Sequence, residues 1–521
     1  MNRSAVWAAV CCAVAAVCAA VRAAGKPFWY DELFTFYVTG LGSFHRMREA
    51  VEAGLDLNPP MLYLFTTASR ALFGDGLVAV RLPGIVGFAV LTACVYRMAS
   101  RRMPGAYAVL AAAMVGVTGA FGYAYEARAY GLLLGFAGMT LAFRQSAADG
   151  GRGLAGMALS LAGALLTHCY AVLLLPPLYL AEALRTWIVR QFDWRMWAAL
   201  VAPLAAIVTY LPLLRVNGNA KLAGPIFDPA PLRLVGSYLD LLAPALPAMG
   251  LGLAAIALAR RVPLPDVRAR AAALWARVPA DEWVLFAGLA AAPALAYAVS
   301  VVAHGGYFTR YGLPAAVAIA AAFPAACFVL AGEWRGAWVL PAFALGWMVW
   351  GTAPTDSGTN LLAGWDGASP LVVLDGQTFL EMDHRFEDAR ARQLVFLLDR
   401  EAALRFMGTD CYDAPLRVVP KWFPVRGSAV EAASYLPGRE HLLVYGLADE
   451  KHHWLLARMR EEGAAVRVLA RGGGRQLVEV TRNQSAAAGE RSGPSEANGL
   501  KSVEASKTST PSARLRALTT R

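Results

Sequence analysis

Long apolar blocks recur along most of this chain, and they constrain its fold more than any motif does. Residues 4–21 run uncharged from Ser4 to Val21, and comparable runs return at intervals as far as Trp350. With 57% hydrophobic and only 16% charged residues, the 521-residue sequence is too apolar for a soluble protein of its length. Its class is a polytopic α-helical membrane protein. The net charge of +11 points away from nucleic acid, because much of it lies between apolar blocks or in the tail, where basic residues orient a membrane protein. Six of seven cysteines, Cys11, Cys12, Cys18, Cys94, Cys169 and Cys327, fall in or beside apolar runs, and Cys411 stands alone. That pattern gives neither a disulfide framework nor a zinc spacing. The run 4–21 follows Arg3 as a cleaved signal would, but the remaining topology closes best when it stays as the first span.

Apolar runs of membrane length, oriented by Lys/Arg bias, give about eleven spans and thirteen at most. The first leads outward to a long external stretch, 22–76. Within it, 57–74 (LNPPMLYLFTTASRALFG) is apolar but short, opened by two prolines and interrupted by Arg70, and reads as an interfacial helix that does not cross. Later spans turn back at Arg97, Arg101 and Arg102, at Arg144 and Arg152, at Arg185, Arg190 and Arg195, and at the basic loop holding Arg260, Arg261, Arg268, Arg270 and Arg277. These turns are expected on the cytoplasmic side. Outward turns fall at 123–131 (YAYEARAYG), His168–Tyr170, 215–233 and 304–312 (HGGYFTRYG).

From about Gly351 the pattern becomes soluble α/β. Short β-rich runs at 371–374, 394–398, 441–445 and 466–470 alternate with helix-capable stretches such as 449–462, predicting a small, mostly parallel sheet. Residues 476–481 read as an edge strand after a glycine turn. The expected domains are a transmembrane part (1–350), an external α/β part (351–482) and a disordered tail (483–521) rich in Ser, Ala, Thr and Gly. An odd number of spans from a cytoplasmic N-terminus places the α/β part outside.

Asp31 and Glu32, in PFWYDELFTFY just past the first span, are carboxylates at the lipid–water boundary. Ionisable groups at that depth are functional candidates, although acids at a helix N-terminus also favour its dipole. The topology gathers polar groups on the same outer face: Asn58, Glu126, Arg128, His168, Lys221 and Arg310. On the inner face it leaves scattered arginines only. Carboxylates facing cations across a cleft suit sugar transfer from a lipid phosphate. A carboxylate takes the acceptor's proton, and Arg or Lys steadies the departing phosphate. Blander roles stand beside these: Arg128 pairing with Glu126 or a carbonyl, His168 as a hydrogen-bonded structural histidine, Lys221 solvated, Asn58 capping a helix. Asp375 and Asp399 end strands and read as turn residues. Gly472–Gly474 lacks the Lys-Ser/Thr of a phosphate loop.

The segments WYDELFTFY, LNPPMLYLF, YAYEARAYGLLL, THCYAVLLL and RYGLPA occur here in an order that resembles the C-type (GT-C) glycosyltransferases. The similarity is to the branch holding protein O-mannosyltransferases and the lipid A aminoarabinose transferase, and it covers about residues 1–350. It implies a polyprenyl-phosphate sugar donor, a periplasmic or external site in the inner membrane, and an inverting mechanism. Asp31 then falls on the catalytic carboxylate with Glu32 in support. Arg128 and Arg310 fall on basic positions near the donor phosphate, with Glu126, Tyr130, Asn58, His168 and Tyr311 around the substrate. Many relatives have His before Pro-Pro, where Asn58 cannot shuttle a proton. No cofactor is required and no metal is indicated, although metal use varies in the superfamily. The acceptor, whether lipid, glycan or protein, is left open. A flippase of lipid-linked sugars and a surface-polysaccharide ligase or polymerase are the alternatives.

Overall fold

The computed structural model describes residues 3–213, 228–259, 264–351, 361–363 and 365–482. Lys221, most of the loop 215–233 and the tail 483–521 lie outside the described residues. Seven helices open the chain: α1 (Arg3–Gly25), α2 (Tyr30–Thr39), α3 (Phe44–Glu52), α4 (Pro60–Phe73), α5 (Leu77–Ser100), α6 (Gly105–Val117) and α7 (Ala129–Ala148). Among the described residues, α1, α5, Cys169–Val189 and Pro231–Ala259 are long and apolar enough to cross a bilayer. Ala280–Ala290 and Ala292–Val302 reach that length only when taken together, with a bend of 54° between them. Other apolar helices, including α6, Leu154–Leu165 and Ala315–Ala331, are shorter. At 14 residues, α4 is too short to cross, as its sequence indicates.

Glycines set the closest packing in the bundle. A Cβ on Gly87 would stand 2.4 Å from the Gly131 carbonyl oxygen, and one on Gly135 would stand 2.6 Å from that of Gly87. Helices α5 and α7 therefore touch backbone to backbone, the arrangement small residues permit inside a membrane. The seam draws the starts of both helices together, and these carry Arg81 and Arg128.

The C-terminal part builds a six-stranded sheet in the order β3-β2-β1-β4-β6-β5. Its strands are β1 (Leu371–Val373), β2 (Leu394–Leu398), β3 (Ser428–Glu431), β4 (His441–Leu447), β5 (Ala465–Gly472) and β6 (Arg475–Thr481). The pairings β3/β2, β2/β1 and β1/β4 are parallel, while β4/β6 and β6/β5 are antiparallel. Two sequence expectations change here. Strand β6 is interior, because β5 folds back over it and takes the edge. Strand β3 went unread because its residues are at most half-buried and carry no apolar alternation. Asp375 and Asp399 are turn residues as expected: each caps the helix that follows, accepting from the Thr378 and Ala402 amides.

Two cores hold these parts. One fills the bundle with small residues and leucines from α1, α5, α6, α7 and Ala315–Ala331. The other is shared: Phe28, Leu33, Phe34 and Val38 of the α2 region pack with Leu371, Phe379, Leu380 and Phe396 of the sheet region. Within the sheet region, the helix Gly376–Arg385 sits directly on α2. Tyr37 stacks on Phe423 with ring centroids 4.9 Å apart, His384 lies against Phe28 and Phe36, and the Tyr30 amide donates to Glu381.

Candidate active site

Both acids of the DE pair lie in the first turn of α2, and their surroundings separate them completely. Glu32 is fully buried. Arg81 reaches it with two parallel hydrogen bonds, Nε to Oε1 at 2.7 Å and Nη2 to Oε2 at 2.6 Å. The Ala127 amide donates to Oε1 and the Trp29 amide to Oε2. Bidentate Arg–carboxylate geometry with two further donors satisfies a buried charge, which would otherwise be strongly destabilising. Arg81 also donates to the carbonyls of Ala23, Lys26 and Pro27, closing off the end of α1. Glu32 is therefore a knot joining α1, α2, α5 and the loop before α7. The sequence places Glu32 in support of Asp31; with all its lone pairs engaged, its carboxylate holds the turn that presents Asp31.

Asp31 points the other way. Its carboxylate has an ion pair with Arg310, Nη2 to Oδ2 at 3.5 Å, and each side chain keeps 21% of its surface exposed. That separation exceeds a normal hydrogen bond, so lone pairs of Asp31 remain available to an incoming donor. Arg310 belongs to a short 3-10 turn, Thr309–Gly312, and lies over the rings of Phe308 (4.3 Å) and Tyr130 (5.8 Å). Its buried Nε has no protein partner.

Arg128 starts α7 and lies beneath this pair. It donates to the backbone carbonyl of Asp31 at 2.9 Å, but its charge is met by Asp56, at 3.0 Å from Nη1 and 3.3 Å from Nη2. The blander partners considered for it, Glu126 or a carbonyl, are half right. Glu126 instead pairs with Lys26 at 3.0 Å, and burial raises its carboxyl above the usual range against the pull of that lysine. Asn58 caps no helix: Pro59 holds that position, and the Asn58 amide donates to Asp56 at 2.9 Å. Asn58 thus braces Asp56, which braces Arg128.

His168 is buried, with its ring centroid 5.3 Å from that of Tyr130 and 6.2 Å from that of Tyr311. Its Nδ1 accepts from the Tyr170 amide, which places the remaining proton on Nε2. Burial, reinforced by Arg128 and Arg310, pushes its pKa down to about 3, so the ring is neutral at any working pH. Tyr311 stacks on Tyr170 at 3.6 Å. The structure therefore brings Asp31, Arg310, Arg128, Tyr130, His168 and Tyr311 into one cluster, with Glu126 beside it and Asn58 one layer behind.

Arg81, Asp56 and Lys26 complete the site and were not singled out in the sequence. Arg81 carried a signal, being a lone charge four residues into a membrane-length helix. The opposite end of the bundle also differs from expectation. Its arginines form a network, with Arg102 on Glu282 and Asp149, Arg144 on Asp281 and Glu182, and Arg185 on Glu182 and Asp193. Among the described residues, no group of three His, Cys, Asp or Glu side chains is placed to hold a metal ion.

Residues 57–214 match the family model of the dolichyl-phosphate-mannose-protein mannosyltransferases. That segment contains Asn58, Arg81, Glu126, Arg128, Tyr130 and His168, whereas Asp31, Glu32, Arg310 and Tyr311 lie outside it. No curated protein matches the chain. Among solved structures it is similar to ArnT from Cupriavidus metallidurans bound to undecaprenyl phosphate. There the identity is 17% and the TM-score 0.37, over 91% of this chain and 98% of that one. The same protein in the apo state gives 15% identity and a TM-score of 0.42, over 92% and 98%.

Proposed function

We propose that this chain, whose 57–214 segment carries the mannosyltransferase family pattern, is an integral-membrane inverting glycosyltransferase. It moves a sugar from a polyprenyl-phosphate donor to an acceptor hydroxyl on the outer side of the membrane. The observation that carries this reading is the loosely engaged Asp31–Arg310 pair: a base and a cation, partly exposed, side by side.

In the step this geometry supports, Asp31 takes the acceptor's O–H proton as the acceptor oxygen bonds to the anomeric carbon. The bond from that carbon to the phosphate oxygen breaks, and its electron pair leaves with the lipid phosphate. Arg310 lies beside Asp31, and its guanidinium stabilises the negative charge collecting on that phosphate. Attack opposite the leaving group inverts the anomeric centre. Phosphate leaves readily, so a paired general acid is not needed, unlike in glycoside hydrolysis. Tyr130, Tyr311 and neutral His168 form an uncharged wall around the reacting atoms.

The far-end arginines support an N-terminus in the cytoplasm and a sheet region outside it, because the positive ends of membrane proteins stay inside. The sheet region then roofs the site from the periplasmic side.

The test is mass spectrometry of envelope glycolipids and glycoproteins from cells with the chain deleted, restored, or carrying Asp31→Asn. One sugar mass should disappear on deletion and return with the native chain. Asp31→Asn should lower in vitro transfer by about 10²–10⁴-fold while the folded protein still binds polyprenyl phosphate. Undiminished transfer by that variant would remove the proposal.

A further inference from the structure

At the end of the bundle away from Asp31, a cavity of about 110 Å³ lies between the ends of α5 and α7, the start of Ala280–Ala290 and the flank of Ala315–Ala331. Arg81 lies in the first turns of α5 and Arg102 two residues beyond its end, and the helix from Arg81 to Ser100 spans about 30 Å, so this cavity is remote from the proposed catalytic pair. Its walls are almost wholly apolar, from Val95, Met98, Leu274, Phe286 and Ala321. Exposed Ala322 in the same wall opens it toward the flank of the bundle.

Two residues of this lining each carry a buried polar atom without a protein partner. Gln145 is buried, and its Nε2 donates to the Met98 carbonyl at 3.3 Å and to Glu282 Oε2 at 3.4 Å. Two acceptors on that side fix the amide's orientation, leaving Oε1 turned away and unpaired. Trp283, next to Glu282, stacks its indole on Trp275 at 4.9 Å and leaves Nε1–H buried without an acceptor. An orphan acceptor and an orphan donor each forfeit a hydrogen bond, and one hydroxyl supplies both.

The charges at the rim argue against an anionic headgroup. Arg101 and Arg102 are met by Asp149 and Glu282, two of each sign, with Arg102 bridging both acids at 2.6–2.7 Å. Two further cations nearby, Arg277 and Arg270, turn to the carbonyls of Arg102 and Asp266. We propose that this cavity binds a neutral lipid through a free hydroxyl, which donates to Gln145 Oε1 and accepts from Trp283 Nε1 while its chain lies along Val95, Met98 and Phe286. Diacylglycerol and a long-chain alcohol both have this chemistry.

The test uses the whole chain in nanodiscs, with a diacylglycerol bearing a photoactivatable diazirine in one acyl chain, followed by peptide mapping after irradiation. Saturable labelling is expected on residues 95–103 and 317–325. Unlabelled diacylglycerol or a long-chain alcohol should compete, and whichever competes better names the source. Phosphatidic acid and the O-methyl ether of diacylglycerol should compete at least about fivefold more weakly, the worth of about one hydrogen bond. Trp283→Phe, which keeps an aromatic ring beside Trp275 and removes the N–H, and Gln145→Leu should each lower labelling by a similar factor. Equal competition by the methyl ether or by phosphatidic acid, unsaturable labelling, or unchanged labelling in both variants would overturn the proposal. The lipid comparisons need no variant, so they decide the matter even if a substitution fails to fold.

Discussion

The two ends of the helical bundle hold similar residues and use them differently. Away from the site, four carboxylates of the network have a guanidinium within 2.6–2.8 Å, Glu282 and Asp149 on Arg102, Asp281 on Arg144 and Glu182 on Arg185, and Asp193 has one at 3.1 Å. Near the site, Glu32 on Arg81 follows the same rule at 2.6 Å. Asp31 breaks it, with its arginine 3.5 Å away and both partners partly open. Charge inside a membrane protein is costly, and tight mutual pairing is the ordinary way to hold it. Tight pairing therefore goes with the structural charges, and the slack, partly open Asp31–Arg310 pair is where the proposed reaction is placed.

The widest gap between the two classes should appear on breaking a tight pair. Arg81→Met strands Glu32 as a buried unpaired carboxylate and should cost about 3–5 kcal/mol of stability, measured by thermal or denaturant unfolding in detergent. A loss no larger than that of an exposed arginine would show that the knot does not hold the site together. Breaking the slack pair should do the reverse. Arg310→Gln should lower kcat by about 10²–10³-fold with little change in unfolding, whereas Arg102→Gln at the opposite end should destabilise while sparing turnover of the molecules that remain folded. If both variants behave alike, the distinction between ends fails.

The smallest effect belongs to His168, and it sharpens the comparison through pH. Its folded pKa, about 3, lies below the ordinary value of 6.5, so below pH 6.5 the unfolded chain takes up a proton that the folded chain refuses. The resulting penalty is absent above pH 6.5 and grows as pH falls toward 3. His168→Asn keeps an acceptor for the Tyr170 amide and removes the titration. Stability at pH 7 should stay nearly level, while the decline between pH 6.5 and 4 becomes shallower than in the native chain. An unchanged decline would mean that this ring is not held neutral.

Legibility in the sequence followed the same physics. Asp31 stood out because aromatic neighbours and a preceding apolar run fix its depth, and five of the six strands were outlined by short β-rich runs. Arg81 was lost because one charge is averaged away in a long apolar helix, and Asp56 because the Pro-Pro that follows drew attention to Asn58. The acids of the far network, Asp149, Glu182, Asp281 and Glu282, come from separate segments, and only packing shows that they meet arginines. Strand β6 was assigned to the edge because the return of β5 across it is a tertiary event that no local pattern records.

The apolar contact between the sheet and α2 has a consequence for protein engineering. Phe28, Phe36 and Tyr37 are matched to His384 and Phe423 across that seam, so the two parts form a single unit of inheritance. A chimera taking its sheet region from a distant homologue would need to import the aromatic face of α2 as well, or the helix presenting Asp31 would lose its backing.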